Sequence, residues 1–106
     1  MPILTIALLV LAALGPLGTI AVIAVALLTI GLLIDWFRDR AATVTRDPDK
    51  VAVTVAEAID SGEVSYVQGI FDTEKGAFTE ARRVKANRAD ADVQRAHSKH
   101  QVAIWE

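Results

Sequence analysis

The residues best able to do chemistry are His97-Ser98-Lys99-His100. Two imidazoles at i and i+3 on one helical face can share a metal, and a catalytic zinc site needs a third protein ligand beside them. No third ligand is evident at usable spacing, so we read the four residues as a helix end, where His and Lys suit the negative pole. Ser98 beside a histidine does not make a triad, because nothing orients the base or builds an oxyanion hole. Asp90 and Asp92 are two apart and do not face each other on a helix. There is no phosphate-cradling glycine loop. The chain has no cysteine, which excludes disulfides, thiolate metal sites and a cysteine nucleophile. We therefore expect no enzyme, no cofactor, no metal and no small-molecule substrate.

The clearest charged feature is basic: Arg82, Arg83, Lys85 and Arg88. Such a cluster can meet anionic headgroups or nucleic acid. Glu80, Asp90 and Asp92 lie among or next to these residues. That mixture reads as a solvated strand whose Lys and Arg blunt an exposed edge. With a net charge of only -2, we expect no nucleic-acid partner.

The elements that must position these residues fall into two parts. Residues 3–34 carry no charge, and all Lys, Arg, Asp and Glu lie at or after Asp35. A bilayer core is crossed by roughly 20 apolar residues in a helix, so this run predicts a transmembrane anchor over 3–37. A signal peptide would be shorter, with a basic start and a small-x-small cleavage site. No Lys or Arg precedes this run, it is twice too long, and it ends in Asp35-Trp36-Phe37-Arg38, a poor cleavage site. The chain shows no lipidation motif. A helix of this length would measure about 48 Å, which requires tilt or bending. Gly15-Pro16 is the expected kink, because proline has no N–H to donate. Gly15, Gly18, Ala21 and Ala24 are small enough to form a helix-packing face in lipid.

Asp35, Trp36, Phe37, Arg38 and Arg40 read as the membrane interface, with the aromatic rings at headgroup level. Arginine on this flank alone predicts the N-terminus outside and the rest cytoplasmic. Residues 38–47 read as a juxtamembrane linker.

Residues 48–106 read as a small cytoplasmic α/β (α+β) domain in the order α-β-β-α-β. Asp47-Pro48 suits a helix start. Val51, Val55, Ala58 and Ile59 recur at helical spacing, and Gly62 is a stop. Residues 63–71 and 77–85 are strand-like and flank the polar turn 72–76, a hairpin. Asn87 is a candidate N-cap for a helix ending near Ser98. Residues 100–105 read as a last strand carrying Trp105, a side chain large enough to need a docking surface.

The expectation is a single-pass membrane protein that acts as a non-catalytic accessory or assembly subunit. Its partners would be the bilayer and other membrane proteins or copies of itself. A self-associating, holin-like or pore-forming membrane protein is the alternative.

Overall fold

The apolar run is not one helix. In the computed structural model, which describes residues 3–17, 19–57, 63–98 and 100–105, it divides into three elements. Helix α1 spans Ile3–Ala13, strand β1 Ala21–Leu28, and helix α2 begins at Ile30 and ends at Arg38. A 3-10 turn, Gly15–Leu17, follows α1. The local chemistry accounts for the division. Pro16 cannot donate a helical hydrogen bond. Val22, Ile23 and Val25 are β-branched and favour a strand. Thr29 then caps α2, its hydroxyl accepting from Leu32 N–H at 3.2 Å.

Among the described residues no helix is long and apolar enough to cross a membrane. This overturns the transmembrane anchor over 3–37, and with it the single-pass fold, the holin-like alternative and the N-out topology. The expected packing face goes too. Gly15 lies in the 3-10 turn, Ala21 and Ala24 lie in a strand, and Gly18 falls outside the described residues.

The remaining elements are α3 (Ala41–Arg46), β2 (Lys50–Glu57), β3 (Val64–Asp72), β4 (Ala77–Ala89), α4 (Ala91–Ala96) and β5 (Val102–Trp105). The helix expected after Asp47-Pro48 is therefore β2. Val51, Val53, Thr54 and Val55 outweigh the helical spacing once both faces of the strand are buried. Ala58, Ile59 and Gly62 lie outside the described residues. The hairpin strands expected at 63–71 and 77–85 correspond to β3 and a longer β4. Gly76 takes the left-handed φ of 65° that the turn requires. Asp72 Oδ1 accepts from Glu74 and Lys75 N–H, an Asx-type turn. The cap of α4 is Asp90 and not Asn87.

The five strands form one mixed sheet in the order β1-β4-β3-β2-β5. β1 runs parallel to β4, with Ile23 opposite Val84 and Val25 opposite Ala86. Every other pairing is antiparallel. The middle of the apolar run thus serves as a parallel edge strand, with Leu28 buried and Val22 and Leu27 exposed.

Helices cover both faces. On one, Ile6, Val10 and Ala13 of α1 sit at i, i+4 and i+7 and pack on Val53, Val55, Val67, Phe71 and Val102. On the other, Leu33 of α2 and Val93 of α4 pack with Leu28, Tyr66, Val84, Ala86 and Ala89. Gly69 lets the hairpin close. A Cβ there would meet Phe78 at 2.6 Å and the Glu80 carbonyl at 2.7 Å.

Candidate binding site

A cavity lies where α2 and α3 meet β2 and β5. Its volume is about 300 Å³. Ile34, Phe37 and Arg38 come from α2, Ala41, Val44 and Thr45 from α3, Ala52 from β2 and Trp105 from β5. The Phe37 and Trp105 rings lie 6.2 Å apart and inclined by 40°. Arg38 is the charged group of this lining. Its Asp35 partner stands 3.4 Å away, and both side chains are more than two-thirds exposed.

Trp105 is held from beneath. Its indole N–H donates to Thr54 Oγ1 at 2.8 Å, and Thr54 also bonds His97 Nε2 at 2.8 Å. His97 Nδ1 faces the carbonyls of His100 and Gln101 at 3.2 and 3.1 Å. Carbonyls only accept, so Nδ1 carries the proton. Nε2 then accepts the Thr54 hydroxyl proton, while the same oxygen accepts from Trp105. Each of these groups is matched. The Tyr66 ring lies 5.0 Å from His97. Burial lowers the His97 pKa from 6.5, and the two carbonyl contacts oppose that shift.

A hydroxyl bonded to an imidazole that is itself oriented has the outline of a nucleophile and base. Thr54, however, is 0% exposed and its hydroxyl is fully engaged. The pair anchors Trp105. His97 and His100 do not face each other as a ligand pair, because both His97 ring nitrogens are bonded within the protein and His100 contributes its carbonyl. Among the described residues no three His, Cys, Asp or Glu side chains group as a metal site.

The residues read as a membrane interface lie on α2 and just after it. Phe37 lines the cavity. Arg40 stacks on Trp36, with Cζ 3.8 Å from the ring centroid. Arg40 Nη1 donates to the Trp36 carbonyl. Its Nε lies 3.3 Å from Glu80 but is not aimed at it, so that N–H is buried without a hydrogen bond among the described residues.

Strand alternation disperses the basic cluster. Arg82 turns towards α2, where Nε donates to Gln68 Oε1 at 2.8 Å, and Gln68 Nε2 donates to the Leu33 carbonyl at 2.8 Å. Burial, and secondarily the Arg40 charge, lower the Arg82 pKa. Arg83 faces the other way and pairs with Glu57 at 2.8 Å. Lys85 and Arg88 are exposed. The four residues do not make one basic surface.

Thr54, Gln68 and the cavity residues Val44 and Ala52 were not legible as site residues. Thr54 sits in a β-branched run, and its partners lie 43 and 51 residues away. The aromatic and arginine composition of 36–40 was the available signal, and it fits a groove wall as well as a headgroup region.

The fold and site together define a small mixed-sheet α/β domain with an aromatic-lined cavity at one end of the sheet. No family model, no curated protein and no solved structure matches this chain.

Proposed function

We propose that this chain is a non-catalytic module that pairs with a second copy of itself along the edge of β1, which is open among the described residues. The carrying observation is the character of that edge. β1 has neighbour β4 on one side, and its eight residues hold no charge and no proline. Val22 and Leu27 are 52% and 38% exposed. Proteins ordinarily blunt such an edge with lysine, proline, a bulge or a covering element. The opposite edge, β5, is only four residues long. An uncharged strand meets its own copy across a two-fold axis without like-charge repulsion, and this arrangement covers the β1 edge of both copies at once. The engaged Thr54 and His97 support the non-catalytic part of the reading.

Sedimentation equilibrium over a concentration series tests it. The expected result is a dimer that Val22→Lys or Leu27→Lys converts to a monomer with unchanged circular dichroism. Leu8→Lys, on the exposed side of α1, is expected to leave the dimer intact. A wild-type chain that stays monomeric throughout, or a dimer broken by Leu8→Lys alone, overturns the proposal.

A further inference from the structure

We infer that the cavity between α2, α3, β2 and β5 binds a small apolar carboxylic acid, with its ring or branched body inside and its carboxylate on Arg38. The argument starts from what the lining can offer a ligand. The volume of about 300 Å³ stands at the lower end of the range for small-molecule sites. It suits a body of one or two fused rings. Ile34, Phe37, Ala41, Val44 and Ala52 present only carbon. Trp105 adds a ring face whose N–H is already spent on Thr54. The other lining residues that carry a polar side chain are Arg38 and Thr45.

Arg38 sets the charge of the occupant. A guanidinium grips a carboxylate through two parallel N–H donors, a geometry that no neutral group reproduces. Its contact with Asp35 is a 3.4 Å surface pair between exposed side chains. Pairs of that kind are weak and readily exchanged. A ligand carboxylate brings the added advantage of an apolar body that Asp35 lacks. The part-buried Thr54–Trp105 bond fixes the ring against which that body lies, so little ordering remains to be done on binding.

The cavity sits against the β2–β5 end of the sheet, and β1 is the opposite edge. The inference thus stands apart from self-association, and Val22→Lys is expected to leave ligand binding unchanged.

Isothermal titration of the full chain with 2-naphthylacetate, and with 2-naphthylacetamide as its uncharged counterpart, tests the inference. The acid is expected to bind about tenfold or more tighter than the amide, the difference one charge-assisted contact supplies. Arg38→Gln is expected to bring the acid to the amide's level and leave the amide unchanged. Ala41→Leu, on an exposed helix position, fills the cavity and is expected to abolish both. Three results overturn the inference: no saturable heat with the acid at millimolar concentration, equal binding of acid and amide, or acid binding that survives Ala41→Leu in a folded variant.

Discussion

The two faces of the sheet are held by different physics. Under α1 the contacts join Ile6, Val10 and Ala13 to Val53, Val55, Val67, Phe71 and Val102, a cluster of carbon alone. Under α2 and α4 the apolar cluster is pinned by polar bonds. Gln68 ties the Leu33 carbonyl to Arg82. Thr54 ties Trp105 to His97. Asp90 accepts from Ile30 N–H at 3.1 Å and from Val93 N–H at 2.9 Å, so one carboxylate caps two helices. Apolar burial is non-directional and sets how strongly an element is held. Hydrogen bonds between buried groups are directional and set where it is held. Helix α1 is thus held by cohesion, and α2 and α4 are also held in position; the Glu57 bonds to Ser65 and Arg83 on the α1 side join strands and not the helix.

The comparison is most easily broken at its apolar side. Phe71 is fully buried and meets Phe78 edge-on at 5.3 Å. Phe71→Ala is expected to cost about 3–5 kcal/mol in urea unfolding. A cost similar to that of the polar changes below would erase the distinction. Next comes Thr54→Val, which keeps the shape and strands the Trp105 N–H and His97 Nε2. We expect a loss of about 1–3 kcal/mol, with a red shift of tryptophan fluorescence that Phe71→Ala does not share at matched stability.

Asp90→Ala removes the cap of α4 and the acceptor of Ile30 N–H, leaves the Thr29 cap of α2 in place, and is expected to cost about 1–2 kcal/mol, read by the same unfolding assay. A smaller effect comes from acid. Burial holds His97 below its usual 6.5, so the unfolded chain takes up a proton before the folded one does. Stability from this group is complete above that value, falls as the pH drops below it, and levels off beneath the folded pKa. His97→Gln is expected to remove this part of the slope in urea midpoints followed from about pH 8 to about pH 5. Arg38→Gln breaks only a surface pair, and its effect on stability is expected to stay within about 0.5 kcal/mol. A larger loss would make Arg38 part of the positioning face.

These two faces were unequally legible in the sequence. The β3–β4 hairpin could be read because strand-forming residues flank Asp72-Thr73-Glu74-Lys75-Gly76, a turn whose chemistry is local. The last strand and the docking of Trp105 could be read for a similar reason. Residues 3–34 could not be assigned correctly. A uniformly apolar run has no period, and a buried strand and an apolar helix look the same in it. Composition alone favoured the membrane, and the breaks at Gly15-Pro16 and Thr29 are the marks that divide the run. In β2, Val51 and Val55 mimic a helical stripe because both faces of the strand are covered. The site depended on Thr54 meeting His97 and Trp105 across the sheet, and no local pattern announces such a meeting.

The parallel pairing of β1 has a consequence for how the chain is made. Ala21 lies opposite Arg82, a partner 61 residues further on. At about 5–20 residues per second, translation takes roughly 3–12 s to supply that partner. Until then the most apolar third of the chain has no β4 to join. A chaperone that covers residues 3–34 during that interval is expected to raise the yield of folded protein in cell-free translation.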